Sequence, residues 1–269
     1  MEKIGLLAGV GRLPVECAIA AGKLGYEVYA VGLIPGVDEE LQECVAGYTD
    51  INVAQLQAII DYLKENGVHK VTMLGKVTKE ILYSGQHVQP DLRMLSLIFT
   101  LPDRKDDTLM LAFINELAKD GLEAFDQTEL IKSLMPAAGV LTRRQPTDDE
   151  IKDMKFGMEM AREIGRLDVG QTAVVKNLGV MALEAIEGTD ACIRRGGELA
   201  RGGAVVAKVA KPKQDFRFDV PAVGVTTLES MIAVGAKALV IEAGRTLLVD
   251  KARVVELADA NDIAIVVME

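Results

Sequence analysis

Short apolar runs interleaved with helical stretches constrain the fold of this chain more than any other feature of its sequence. Ile4–Ala8, Tyr26–Val31, Lys70–Leu74 and Leu122–Phe125 each read as a buried strand. Pro14–Leu24, Val53–Glu65, Asp91–Leu101 and Thr108–Lys119 read as helices between and around them. The first unit is explicit: a strand, the turn Gly9-Val-Gly11, an alanine-rich helix closing near Gly25, and a second strand. Strands that alternate with helices are buried on both faces and pair in parallel, so the expectation is α/β, with a Rossmann-like parallel sheet over residues 1–133.

The pattern changes after Met135-Pro-Ala-Ala-Gly139. The polar run Thr142–Glu150 reads as a linker ending in a capping box, Thr147 with Glu150, that opens a helix to about Ile164. Thr172–Lys176 and Val180–Ala185 then straddle Asn177-Leu-Gly179 as an antiparallel hairpin, a connection the first half lacks. Helices at Asp190–Leu199, Thr227–Val234 and Ala252–Asp259, and strands at Ala204–Val209, Ala238–Ile241 and Ile263–Met268, complete a mixed α/β domain over residues 134–269. A length of 269 residues suits two such domains.

Composition removes several function classes. Hydrophobic residues make up 49% of the chain, yet no stretch approaches the ~18 consecutive apolar residues of a membrane span. The N-terminus has no basic leader or cleavage site, so the cytoplasm is the expected compartment. Cys17, Cys44 and Cys192 are too scattered for a disulfide framework or a zinc site, and His69 and His87 fit neither metal-ligand spacing nor a triad. The formal net charge of −10 disfavours nucleic-acid binding. The charge is uneven: 12 basic against 20 acidic residues over Met1–Ser133, but 18 against 20 over Leu134–Glu269. Within the second half, Arg194–Arg217 holds seven basic residues against two acids, which suits either a small anionic ligand or a solvated face.

Four groups of residues carry candidate chemistry. In Gly9-Val-Gly11-Arg-Leu-Pro14 the glycines let backbone N–H groups approach a phosphate at a helix N-terminus, or simply make a tight turn. Pro14 replaces the third glycine of the dinucleotide fingerprint, and the second strand ends at Gly32 without the acid that holds a ribose, which weakens a nicotinamide reading. Lys76, after another strand, could meet a phosphate at the same sheet edge, although no Walker motif surrounds it. Glu184, Glu187 and Asp190 recur at spacings of three across a strand-to-helix junction. Asp215 and Asp219 bracket Arg217 in an extended segment, where alternate side chains share a face. Two carboxylates about an arginine can hold Mg²⁺ and a phosphate oxygen, or satisfy one another as a surface ladder. Gln171, before a strand, is the remaining polar candidate.

Taken together, Leu-Ala-Gly-Val-Gly-Arg-Leu-Pro14, Gly75-Lys-Val-Thr-Lys79, Leu167-Asp-Val-Gly-Gln171, Glu184-Ala-Ile-Glu-Gly-Thr-Asp190 and Lys211-Pro-Lys-Gln-Asp-Phe-Arg-Phe-Asp-Val-Pro221 resemble the LpxI type of UDP-2,3-diacylglucosamine pyrophosphatase. The resemblance runs over essentially the whole chain, with Ala222 standing where the family pattern has threonine. It implies a Mg²⁺-dependent hydrolase of lipid A biosynthesis that cleaves UDP-2,3-diacylglucosamine to UMP and 2,3-diacylglucosamine 1-phosphate, its ligand lying between the two domains. Carried over by motif, it implies Asp219, Asp215 and Arg217 as catalytic residues, and Asp190, Glu187 and Glu184 with Asp215 and Asp219 as metal ligands. Gly9, Gly11, Leu13, Pro14, Lys76, Gln171, Thr189, Lys208, Lys211 and Gln214 would face the substrate. Acyl chains need an apolar cleft, which Leu92–Leu101 or Met154–Met160 could line unless they serve the core. Transient contact with a membrane surface and a homodimer are the expected associations. The rival readings are a nucleotide-dependent oxidoreductase and a non-catalytic nucleotide- or lipid-binding regulator.

Overall fold

The computed structural model describes residues 1–77, 90–102, 106–212, 214, 216 and 220–269. They divide into two compact units, the first formed by Met1–Ile131 and the second beginning at Lys132.

The first unit runs β1 (Lys3–Ala8), α1 (Leu13–Lys23), β2 (Glu27–Gly32), α2 (Glu40–Glu43), β3 (Gly47–Asp50), α3 (Leu56–Glu65), β4 (Lys70–Leu74), α4 (Leu92–Thr100), α5 (Asp106–Ala118), β5 (Glu123–Ala124) and α6 (Thr128–Ile131). All five strands are parallel, in the order β3-β2-β1-β4-β5. This order reverses direction between β1 and β4, the switch point of doubly wound sheets. Leu56, Ile59, Ile60 and Leu63 recur at helical spacing along the buried face of α3 and pack with Leu7, Val31 and Val71 of the sheet. Asp91 caps α4, its carboxylate accepting from Met94 N at 2.7 Å, and accepts from Gln57 N at 2.6 Å, which ties α4 to α3.

The second unit contains β6 (Gly139–Val140), α7 (Asp148–Arg166), β7 (Thr172–Lys176), β8 (Gly179–Leu183), α8 (Thr189–Ala200), β9 (Val205–Lys208), β10 (Ala222–Val223), α9 (Val225–Ala233), β11 (Ala238–Glu242), β12 (Leu247–Leu248), α10 (Lys251–Ala260) and β13 (Ala264–Met268). Its six-stranded sheet has the order β6-β13-β11-β9-β7-β8, parallel through β13, β11 and β9 and antiparallel where β6, β7 and β8 join. Ala222 and Leu247 lead a separate two-stranded parallel pair, β10 with β12. Along β7 and β9 successive residues go to opposite faces, as the pleat requires. Ala173, Val175, Val205 and Ala207 meet Met154, Met158 and Ala161 of α7. Val174 and Val206 meet Cys192 and Ile193 of α8, Leu228 and Met231 of α9, and Val254 of α10. Met154 and Met158 are therefore core residues, which removes them as an acyl-binding stripe.

The expected capping box is formed: Thr147 Oγ1 accepts from Glu150 N and the Glu150 carboxylate accepts from Thr147 N. The expected hairpin is formed too, with Asn177 and Leu178 both at positive φ as a primed two-residue turn demands. The turn's free N–H groups do not face solvent. Asn177 N and Leu178 N donate to the buried carboxylate of Asp153 on α7, at 2.9 and 2.6 Å. No helix among the described residues is long and apolar enough to cross a membrane.

Candidate functional site

In the first unit, the loops leaving β1 and β4 interlock at the switch point. Gly9 N donates to Leu74 O, Val10 N to Lys76 O and Lys76 N to Val10 O, at 2.8 to 3.0 Å. A Cβ at Gly9 would lie 2.5 Å from Lys76 O, and one at Gly75 would lie 2.7 Å from the Gly9 carbonyl carbon. Close backbone packing thus accounts for Gly9, and the N–H groups of Gly9 and Val10 are already spent within the protein. Gly11 is at positive φ and exposed. Leu13 begins α1, Pro14 is buried in its first turn where its missing N–H costs nothing, and the Lys76 side chain is exposed. Arg12 pairs with Glu40, donating to Oε1 at 2.8 Å, and with Asp38 at 3.3 Å.

The second unit assembles a buried polar cluster at the junction of the hairpin, β9 and the start of α8. Thr172 lies opposite Lys208 in the β7/β9 register. Glu184, just past β8, and Lys208, at the end of β9, are 8% and 7% exposed, which for two opposite charges demands partners. Thr189, the first residue of α8, provides the shared one. Its hydroxyl donates to Glu184 Oε1 at 3.0 Å and accepts from Lys208 Nζ at 3.1 Å. Lys208 Nζ also donates to Ala222 O at 2.8 Å, and Gln171 N donates to Glu184 Oε2 at 3.2 Å. The carboxylate lies at the N-terminal end of α8, beside its first residue. Gln171 Oε1 is buried without a hydrogen bond among the described residues, an acceptor left open beside this cluster. The cluster can hold a fixed ammonium charge, oriented by one hydroxyl and one carbonyl, against an anionic ligand group.

The structure does not gather the three acids spaced by three residues. Glu184 turns inward to Thr189 and Gln171, whereas Glu187 pairs with Arg195 and accepts from Ala185 N at 3.1 Å. The Arg195 guanidinium holds the Glu187 carboxyl below the usual range, with the Glu187 and Ala185 N–H groups assisting. Asp190, in the first turn of α8, is half-buried and makes no hydrogen bond or ion pair among the described residues. No group of three or more His, Cys, Asp or Glu side chains among the described residues is arranged to hold a metal ion. Glu184 and Glu187 are each engaged by protein partners, and different ones. Asp215, Arg217 and Asp219 lie outside the described residues.

Lys211 and Gln214 close a turn on each other, Lys211 N donating to Gln214 Oε1 and Gln214 N to Lys211 O, both at 3.0 Å, while Lys211 Nζ pairs with Asp168 at 2.6 Å. A residue that no sequence motif singles out anchors this loop. Glu242, 5% exposed at the end of β11, accepts from Arg162 Nη2 at 2.9 Å and from Ala210 N at 3.0 Å, fixing the chain directly before Lys211. An acid ending an otherwise apolar strand was the available signal. Cys17 and Cys192 are buried, their thiols pushed up to about 12 by desolvation, which keeps both unreactive. On α4, Leu92 and Phe99 are 86% and 84% exposed, while Met94 and Leu97 are core.

Comparisons with known proteins place this assembly. The LpxI N-terminal domain profile matches residues 3–134 and the LpxI C-terminal domain profile matches residues 137–266. A curated relative, UDP-2,3-diacylglucosamine pyrophosphatase LpxI of Caulobacter vibrioides, is 33% identical over 267 residues, covering 96% of this chain and 95% of the relative. Among solved structures, N5-carboxyaminoimidazole ribonucleotide synthetase from Thermotoga maritima overlaps at 17% identity and a TM-score of 0.26, over 70% of this chain and 42% of that one. Glycinamide-RNase-transformylase T from Mycobacterium tuberculosis overlaps at 14% identity and a TM-score of 0.26, over 69% and 44%. The chain spans less than half the length of either solved protein, and overlaps so low carry no argument about its fold or chemistry. The two profiles in tandem and the full-length relative do: the chain belongs to the LpxI family.

Proposed function

We propose that the chain is a UDP-2,3-diacylglucosamine pyrophosphatase, hydrolysing the diphosphate of that lipid to UMP and 2,3-diacylglucosamine 1-phosphate in lipid A biosynthesis. The observation that carries this reading is the relative of that name, aligned over 96% of this chain. The local chemistry supports it. Diphosphate hydrolysis needs charge neutralised on phosphoryl oxygens and a positioned water, with no covalent step by the protein. Lys208, held by Thr189 and Ala222, is a fixed positive charge suited to a phosphoryl oxygen, with Gln171 Oε1 beside it as an acceptor for a substrate hydroxyl. In this reading Asp215 and Asp219 hold Mg²⁺, which would offset phosphate charge, and Arg217 grips the diphosphate. Leu92 and Phe99 are suited to acyl chains, taken from a membrane surface by transient contact. The enzyme works in the cytoplasm as a homodimer.

Purified protein with Mg²⁺ and the UDP-lipid is expected to release UMP and the 1-phosphate, and water labelled with ¹⁸O is expected to mark the UMP. Chelation by EDTA should abolish turnover, with Mg²⁺ restoring it. Turnover that survives Asp215→Ala and Asp219→Ala together would remove the assigned roles, and label in the sugar phosphate would reverse the direction of attack.

A further inference from the structure

The first unit has a cleft that no role above uses. It measures about 440 Å³, within the range of small-ligand sites, and lies beyond the carboxyl ends of β2 and β3. Ligands of open parallel sheets bind at that end of the strands, ordinarily at the switch point. Here the switch point is closed by the Gly9/Gly75 interlock, and the open space is displaced by one strand. Gly32, Ile34, Tyr48, Asp50 and Asn52 are among the residues lining it. Gly32 pairs with Asp50 in the β2/β3 register, and a Cβ at Gly32 would lie 2.3 Å from Tyr48 Oη and 2.4 Å from Asp50 Oδ1. The missing side chain leaves room for the Tyr48–Asp50 pair, in which the phenol donates to Asp50 Oδ1 at 2.7 Å. Burial, reinforced by Asp50, raises the Tyr48 phenol well above its ordinary range, so it stays a donor. Asp50 is exposed and lines the cleft, where its carboxyl group can accept further hydrogen bonds.

The chemistry of the lining selects the ligand. Asp50 and Glu39 make the cleft acidic, which repels phosphate and favours a neutral partner rich in hydroxyl and N–H donors. A carboxylate at the end of a sheet strand is the group that grips a ribose diol in dinucleotide folds, where it follows the second strand; here the neighbouring strand supplies it. We propose that this cleft receives the nucleoside end of a nucleotide, Asp50 accepting hydrogen bonds from the ribose hydroxyls. Resting on the function proposed above, the nucleoside is the uridine of the substrate.

The test uses the full chain with uridine and 2′-deoxyuridine as probes, alongside turnover of the UDP-lipid. Wild-type protein should bind uridine on the order of tenfold more tightly than its deoxy counterpart, the worth of one hydrogen bond to a charged group. Uridine should slow hydrogen exchange over residues 32–37 and 48–52. Asp50→Asn should erase the discrimination and raise KM about tenfold with kcat held. Tyr48→Phe should reduce discrimination by a smaller factor, thermal melting serving as the folding check for both. Discrimination that survives Asp50→Asn, or a wild type with neither discrimination nor protection, overturns the proposal whatever the turnover. Loss of discrimination with KM unchanged keeps the nucleoside site but assigns it to a free nucleoside. Absent turnover with discrimination that Asp50→Asn removes retains the cleft and discards the function proposed above.

Discussion

Thr189 carries one hydroxyl between two buried charges, so its removal takes a hydrogen-bond partner from both Glu184 and Lys208. Thr189→Val is expected to cost about 2 kcal/mol of stability, the worth of a hydrogen bond to a charged group, and to lower kcat at least tenfold. Thr189→Ser should recover most of both, measured by denaturant unfolding and steady-state kinetics. Leu178 tells the opposite story. It sits exposed at a φ of 57°, a conformation unfavourable for a side chain. Leu178→Gly should therefore raise the melting temperature, by up to about 1 kcal/mol of stability. Glu187 gives a pH signature: its carboxyl is depressed in the folded state by Arg195, so the pair's contribution is present above the unfolded value near 4.3 and lost as pH falls through the folded one. The effect is small at an exposed pair. In Arg195→Gln, NMR titration of Glu187 should return towards the ordinary value. At this scale the sequence identified residue types better than their partners. Spacings of three grouped Glu184, Glu187 and Asp190, but a strand end, a glycine turn and a helix start do not share a periodicity, and the backbone points the two glutamates at different neighbours.

Elements were legible in proportion to the strength of their local signals. The capping box marked the start of α7 because both of its bonds are local, and Thr147→Ala should cost about 1 kcal/mol, visible as a lower denaturant midpoint at unchanged slope. The apolar strands β1, β2, β4, β9 and β11 were readable as buried runs. β3 was not: Gly-Tyr-Thr-Asp has neither an apolar run nor alternation, and it is a strand because β2 offers it an unpaired edge. That single omission hid Asp50, since the acid expected after β2 arrives from across the ladder. The pairs β6/β13 and β10/β12 were hidden for the same reason, two residues being too few to carry a pattern.

On the scale of the whole molecule, each unit owns its core. Leu7, Val31, Ile59 and Met94 belong to one cluster in the first unit, while the second has separate clusters on the two faces of its sheet. Scanning calorimetry of the ligand-free protein is expected to give a calorimetric enthalpy above the van't Hoff value, the sign of more than one cooperative transition. A ratio of one would mean that the units unfold together. The two-part organisation was visible in sequence as the switch from helical crossovers to a hairpin, because connection type reports strand direction. The loop pairing at the switch point was not visible, because nothing near Gly9 announces Gly75. A side chain on either glycine would run into the backbone of the other loop. In hereditary terms the two behave as one character: a mutation at either is not rescued by any residue at the other.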